Sequence, residues 1–222
     1  VVYSQQIPTA THGVRANMRL GPHDFSADSG AVKGASTNIC GYCHSMKIPP
    51  AEAMDNMPLW SRQNNVGGTY GKYSSQTLNA TVVDVKADVN YSLLCMSCHG
   101  GSSLFAYNSY TTGKRPREAT GFTYDTTLTV PDNVKFGGGG EWSLSHTHPV
   151  NFTYDAALAT ADGGLFTPVS SSLAFDGGAG KKFRLFDSKM QCSTCHNVHM
   201  KSGLGTYASS TGSARCIVCH NK

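Results

Sequence analysis

Hydrophobic residues occur in short runs along this chain, and stretches rich in Gly, Ser, Thr and Asn separate them. The clearest helical pattern covers Asp88 to His99, where Asp88 is a suitable N-cap for the first-turn N–H groups. A second helical turn is predicted from Pro50 to about Met57, because Pro58 would end it. The pattern therefore predicts few helices, all of them short.

Short runs of β-branched and aromatic residues predict strands at 81–85 and 182–186. The sequence Phe-Thr-Tyr-Asp occurs twice, at 122–125 and 152–155, and both copies are expected to be strands, although the repeat is too brief to indicate a solenoid. The glycine run 137–140 predicts a flexible or tightly turning loop. The expected fold is mostly loops and turns, with few short helices and small β-hairpins.

The composition is unusual for a globular chain of 222 residues, because only 39% is hydrophobic and only 14% is charged. Such a chain builds a modest apolar core, yet its low charge is not typical of a disordered protein. Large bound cofactors would fill the interior that the side chains leave. We expect one domain over residues 1–222.

The formal net charge is +4, and no dense run of Lys and Arg is present. This pattern does not favour binding to nucleic acid or to a membrane surface. No stretch reaches the length of about 18 apolar residues that a membrane span needs. The chain begins with Val1 and shows no signal segment, so we expect an exported protein whose signal was removed, although an arbitrary starting point would look the same.

Eight cysteines decide the chemistry. They form four pairs with two residues between the members of each pair, and a histidine follows every second cysteine. This is the pattern that attaches a c-type haem, and it accounts for every cysteine in the chain. The four copies are Cys40, Cys43 and His44; Cys95, Cys98 and His99; Cys192, Cys195 and His196; and Cys216, Cys219 and His220.

The spacing has a chemical reason. Two thiols three positions apart reach the two vinyl groups of one porphyrin, and the adjacent histidine becomes the proximal iron ligand. Zinc sites, redox dithiols or a disulfide framework would use paired cysteines too, but none of them needs a histidine after every pair. We therefore predict four covalently bound haem c groups. Their attachment takes place outside the cytoplasm, which also favours export.

Five further histidines are candidates for the distal face of the irons, and four are needed if every iron has two histidine ligands. Seven methionines are alternative ligands, although packing is the better interpretation of each. The histidines are His12, His23, His146, His148 and His199, and the methionines are Met18, Met46, Met54, Met57, Met96, Met190 and Met200.

Position along the chain restricts some of these candidates. Because His199 lies only three residues after His196, it cannot reach the opposite face of the same porphyrin and must serve another haem. That arrangement would bring two porphyrins close together. His23 precedes the first motif, and we expect it to serve the haem on His44.

The remaining candidates are less constrained. His148 precedes Pro149, which stiffens the segment and favours one orientation of the ligand. His146 lies two residues earlier, on the same face if the segment is a strand, and is the suspected spare. His12 lies on a polar N-terminal arm that could reach inward or into a neighbouring molecule.

Several segments resemble the extracellular multihaem cytochromes of metal-reducing bacteria. They are Gly-Pro-His-Asp-Phe-Ser at 21–26, Ser-His-Thr-His-Pro-Val at 145–150, Phe-Arg-Leu-Phe at 183–186 and Gln-Cys-Ser-Thr-Cys-His-Asn-Val-His at 191–199. With four haem motifs and this length, the chain resembles the filament-forming tetrahaem members of that group.

The resemblance implies that identical subunits polymerise into a conductive filament in which every iron has two histidine ligands. It also implies that one distal histidine crosses the subunit interface. On this chain that residue would be His12, His199 or His146, and the free N-terminal arm favours His12. The first motif has Lys47 where the third motif has His199, which leaves the donor open.

The expected function is electron transfer without catalysis, to other redox proteins or to extracellular acceptors, at the cell surface or outside the cell. Two alternatives stay open. One is a monomeric tetrahaem shuttle in the periplasm, and the other is a multihaem reductase in which one iron keeps an open position.

Overall fold

A computed structural model describes residues 18, 21–25, 40, 43–44, 69–87, 91–100, 136–138, 141–176, 182–200 and 212–221. Most of this part of the chain lies in loops. The helices are α1 (Tyr91–His99), α2 (Ala156–Asp162), α3 (Cys192–Cys195) and a 3₁₀ turn at Gly212–Arg215. The strands are β1 (Gly137–Gly138), β2 (Glu141–Trp142), β3 (Phe152–Thr153), β4 (Leu173–Asp176), β5 (Lys182–Arg184) and β6 (Lys189–Met190).

The strands form three antiparallel sheets of two strands each within the described residues: β1 with β2, β3 with β6, and β4 with β5. The expectation of loops, a few short helices and small β-hairpins is confirmed at this level. No helix among the described residues has the length and apolar character that crossing a membrane requires.

The chain divides into two compact units. The first comprises Val1–Val66, Ser97–Lys135 and Val198–Gly203, and the second comprises Gly67–Met96, Phe136–Asn197 and Leu204–Lys222. The first unit contains His44 and His99, and the second contains His196 and His220. Each unit therefore holds two of the four motif histidines. The single tetrahaem domain stays a prediction.

One small cluster of buried apolar side chains forms part of the core of the second unit. Its members are Phe152, Tyr154, Ala174, Phe183, Leu185 and Met190. Two haem-attachment cysteines, Cys195 and Cys219, pack against this cluster. The core therefore extends directly to the places where the third and fourth porphyrins would be attached.

A tight turn leads from this core into the third haem motif. Phe186 and Lys189 exchange two backbone hydrogen bonds, 3.1 and 2.9 Å long, around Asp187 and Ser188. Both turn residues have positive φ angles of 51° and 59°, the conformation that a two-residue hairpin turn requires. The turn reverses the chain direction, so that β6 pairs with β3 and Gln191 lies at the start of α3.

Tyr154 joins the core to the fourth haem motif. The side chain is 2% exposed, and its hydroxyl donates to the carbonyl oxygen of Phe166. The N–H of Phe166 in turn donates to the carbonyl of Cys219 at 2.8 Å. Tyr154 therefore supports the backbone that carries the second cysteine of this motif.

We expect Tyr154→Phe to lower the free energy of unfolding by about 1–2 kcal/mol, because the Phe166 carbonyl loses its buried donor. Guanidinium unfolding of the haem-loaded protein would measure the change. Tyr73→Phe is the control, since no hydroxyl hydrogen bond joins Tyr73 to the described residues. Equal stability of Tyr154→Phe and wild type would contradict this role.

Several expected elements can be compared with the structure. The helix predicted at 88–99 is confirmed over Tyr91–His99, and the strand at 182–186 over Lys182–Arg184. The second Phe-Thr-Tyr-Asp copy is a strand only at Phe152–Thr153. Its Asp155 instead caps α2 by accepting a hydrogen bond from the N–H of Leu158 at 2.9 Å.

The strand predicted at 81–85 is wrong, since these residues form no regular element. Asn151 forms hydrogen bonds with backbone groups of this segment. Its carbonyl accepts from the N–H of Val83, and its side chain donates to the carbonyls of Val83 and Asp84. Gly137 and Gly138 form strand β1 of a hairpin. The predicted N-cap Asp88, the turn at 50–57, the strand at 122–125 and Gly139–Gly140 lie outside the described residues.

Candidate haem-attachment sites

The attachment motifs share one backbone geometry. The histidine N–H donates to the carbonyl of the first cysteine at 2.9 Å in the pair His44 and Cys40, at 3.0 Å in His196 and Cys192, and at 2.9 Å in His220 and Cys216. The remaining motif lies within α1. The first and last residues of each motif are thus joined as they are across one helical turn, and residues three and four apart on such a turn share a face. Both thiols and the imidazole are therefore presented to the same side.

The arrangement of potential ligands tests the alternatives for paired cysteines. None of the eight cysteines is in a disulfide. Among the residues that the structure describes, no three His, Cys, Asp or Glu side chains converge on a point that could hold a metal ion. A four-cysteine zinc site needs such a cluster. The porphyrin supplies four ligands to a haem iron, so the protein has to supply only two.

Among the described residues, three of the motif histidines each face a second imidazole from elsewhere in the chain. The ring centroids of His99 and His23 are 6.1 Å apart, and those of His44 and His199 are 6.3 Å apart. Those of His220 and His148 are 6.4 Å apart. The first two pairs lie in the first unit and the third pair in the second unit.

These separations match the space that one iron occupies between two imidazoles. A metal–nitrogen bond of about 2 Å on each side, with about 1 Å from each nitrogen to its ring centre, gives roughly 6 Å between centroids. Imidazoles in direct van der Waals stacking would lie closer together. The residues therefore fit a six-coordinate haem at each of these three places.

No protein-family model matches this chain. No curated protein matches it either. The assignment of the sites therefore depends on the motifs and on the geometry of their side chains.

The surroundings of two distal candidates lower their pKa values, which favours the neutral imidazole, the form that binds a metal. Desolvation by burial and the neighbouring His44 both lower the pKa of His199. Desolvation is also the main cause that lowers the pKa of His148, although part of that side chain remains accessible to solvent. The nearby His220 adds to this effect, and the hydrogen bond to Pro149 opposes it.

A backbone contact fixes the orientation of His148. Its Nδ1 lies 2.9 Å from the carbonyl oxygen of Pro149. A carbonyl can only accept, so Nδ1 carries the proton and Nε2 is left as the ligand atom. Partners of this kind orient metal-binding imidazoles in many proteins. The sequence suggested a stiff segment here, and the structure shows which atom provides the constraint.

The second cysteines of the third and fourth motifs are neighbours in the second unit. Burial raises the pKa of the Cys195 thiol to about 11, and the proximity of Cys219 contributes to the same shift. Burial also raises the pKa of Cys219 to about 11, against the lowering effect of a hydrogen bond with Tyr154. In a haem-loaded protein these atoms are thioether sulfurs, so the contact would bring two porphyrin edges together.

The positions of two expected distal ligands can be compared with the sequence analysis. His23 was expected to serve the haem on His44, but its ring lies beside His99. The chain folds so that the partner close in sequence is not the partner in space. The expectation that His199 turns away from His196 to another site agrees with its position facing His44.

The two remaining candidates differ. His146 is exposed in a turn, and no hydrogen bond or ring contact links it to the residues the structure describes. This position is consistent with the spare histidine. His12 lies outside the described residues. Met96 and Met190 are buried at 0% and 5% exposure, as packing residues would be.

Sequence reasoning missed three polar residues near the motifs. Ser92, Asn151 and Gln191 are almost completely buried. The signal that could have indicated Gln191 is its position directly before Cys192, where a side chain can act on the start of the motif helix. Nothing in the sequence distinguishes Ser92 or Asn151 from the many other Ser and Asn residues of this chain.

Proposed function

We propose that this protein transfers electrons through four covalently attached c-type haems, each with two histidine ligands. The observation that carries the proposal is the set of three imidazole pairs, each separated by 6.1–6.4 Å and each containing one motif histidine. Four motifs with one shared backbone geometry support it. The bound haem would supply the one-electron couple of its iron.

The protein's own residues hold and tune this cofactor. The cysteines would anchor the porphyrin edge. At the three facing pairs the two imidazoles would occupy both axial positions, so those irons would have no position left for a substrate. Two imidazole ligands also favour a lower reduction potential than a methionine ligand would. The arrangement therefore favours conduction over catalysis, and we propose that the protein is not an enzyme.

We further propose that the protein is the subunit of an extracellular filament that passes respiratory electrons to external acceptors. The support is the family resemblance together with the distribution of histidines. His23, His148 and His199 each face a motif histidine of the same chain. The distal ligand of the haem on His196 would be His12 or His146. The resemblance, together with the polar N-terminal arm of the sequence, favours His12 as the residue donated between subunits.

The haem content and coordination of the purified protein test the proposal. We expect a mass that exceeds the polypeptide by four haems and a low-spin absorption spectrum, with no binding of carbon monoxide to the reduced protein. A colourless protein or a bare polypeptide mass would contradict haem attachment. A high-spin fraction that binds carbon monoxide would favour the reductase alternative.

A separate measurement distinguishes the filament from a monomeric periplasmic shuttle. Electron microscopy of the purified protein should show polymers in which neighbouring subunits share a ligand. A discrete monomer in sedimentation, with four six-coordinate haems, would exclude the filament and favour the shuttle.

A further inference from the structure

Three buried polar side chains form a continuous network in the second unit. Ser92 and Asn151 are 0% exposed, and Gln191 is 2% exposed. They come from three separate segments: Ser92 from α1, Asn151 from the loop before β3, and Gln191 from the residue before α3. We call this network the polar clamp.

Hydrogen bonds connect the members of the polar clamp. The hydroxyl of Ser92 donates to Oε1 of Gln191, and the N–H of Ser92 donates to the same atom at 3.2 Å. Nε2 of Gln191 donates to Oδ1 of Asn151 at 3.1 Å. The Asn151 amide then donates to the carbonyls of Val83 and Asp84 at 3.2 and 3.1 Å. The network is well satisfied, which is the condition under which buried polar groups fix one arrangement.

The polar clamp also reaches the backbone of the third haem motif. The N–H of Cys192 donates to the hydroxyl of Ser92 at 3.0 Å. Ser92 therefore takes up one N–H group at the start of α3 that the helix itself cannot satisfy. The N–H of Gln191 is bound separately by Thr194 Oγ1 at 2.9 Å. One hydroxyl thus ties the first turn of α1 to the first residue of α3.

This tie has a consequence for the attachment cysteines. Cys95 lies three residues after Ser92, on the same side of α1. Cys192 is joined to Ser92 by its own N–H at 3.0 Å. Ser92 therefore lies one helical turn from the residue that carries the first sulfur of the second motif, and it is bonded to the residue that carries the first sulfur of the third motif.

We propose that the polar clamp is a positioning device, which sets the distance between the porphyrin edges attached at Cys95 and Cys192. This inference rests on the proposed function, because it assumes that both motifs carry haem. Ser92, Gln191 and Asn151 are positioning residues and not ligands. They act by holding two attachment helices in one register.

Apolar packing also joins the segments that the polar clamp connects, so the loss of a clamp residue need not unfold them. The rings of Tyr91 and Phe186 lie 4.3 Å apart, so α1 also contacts the hairpin turn that precedes Gln191. This contact holds the segments together when a clamp residue is removed. The clamp fixes the relative orientation of these segments, because hydrogen bonds specify orientation while apolar contacts tolerate small rotations.

The test uses Ser92→Ala in the haem-loaded protein. Circular dichroism in the Soret region reports the mutual distance and angle of neighbouring porphyrins. We expect the variant to keep four low-spin haems by mass and absorption, and to lose amplitude in the Soret couplet. Ser170→Ala is the matched control, because its hydroxyl bonds only to Ser172 at the exposed surface.

Asn151→Gly provides a second variant in case Ser92→Ala does not fold. Asn151 has a φ angle of 59°, a conformation that glycine adopts without strain. This change removes the side-chain bonds and leaves the backbone path available. We again expect a weaker couplet with the haem content retained.

The outcomes separate this inference from the proposed function. Loss of couplet amplitude with four low-spin haems would support the positioning role. An unchanged couplet in both variants, with four haems present, would overturn the role while leaving the proposed function intact. Absence of haem from the wild-type protein would instead overturn the proposed function.

Discussion

Replacing His199 by alanine is expected to open one of the four irons. His199 faces His44 with nearly parallel rings, 12° apart, at a centroid distance of 6.3 Å. An alanine side chain offers no donor atom, so the iron held by His44 would keep only one protein ligand. The expected result is that about one quarter of the haem becomes high-spin and binds carbon monoxide when reduced.

Absorption, resonance Raman and carbon monoxide titration would measure this change, with haem content determined on the same samples. Val198→Ala is the matched control, because it shortens the exposed side chain next to His199, which offers no donor atom to an iron. We expect the control to retain the wild-type spectrum. A fully low-spin His199→Ala variant, with all four haems attached, would show that His199 is not an axial ligand.

The second large effect is expected from the chain without haem. We expect the haem-free polypeptide to show no cooperative thermal unfolding. Only 39% of the chain is hydrophobic, and the cluster around Phe152 has six buried side chains among the described residues. Cys195 and Cys219 pack on this core, so porphyrins attached there would bury apolar surface that the side chains alone leave exposed to water.

Producing the same chain in cells without the haem-attachment machinery would provide the haem-free form. Far-ultraviolet circular dichroism on heating, with the haem-loaded protein as control, would measure its folding. Cys216→Ser with Cys219→Ser gives an intermediate case, because it removes only the fourth attachment site. A sharp unfolding transition in the haem-free chain would contradict the expectation.

The local pattern of residues predicted part of the backbone. The helix expected at 88–99, which contains the second motif, is present over Tyr91–His99, and haem attachment stays a prediction. The exclusion of His199 as the partner of His196 also followed from geometry alone, since two ligands three residues apart cannot reach opposite faces of one ring. These predictions concern residues close together in sequence.

The partners that come from distant segments were harder to predict. His23 is nearer to His44 in sequence, yet it faces His99, because loops can bring either motif within reach and sequence distance does not choose between them. The residues at 81–85 have the composition of a strand, but the side chain and backbone of Asn151 bind their polar groups. Tertiary hydrogen bonds overrode local propensity at that place.

Each facing imidazole pair also has a thermodynamic consequence for the denatured state. The members of the three pairs are roughly 70 to 155 residues apart, so an iron bound to both would close a long chain loop much as a disulfide does. By the chain-entropy estimate, closing a loop of this length with a permanent link is worth about 4–5 kcal/mol. Since the axial bonds can break, unlike a disulfide, ligands that compete for the iron would release these cross-links one at a time.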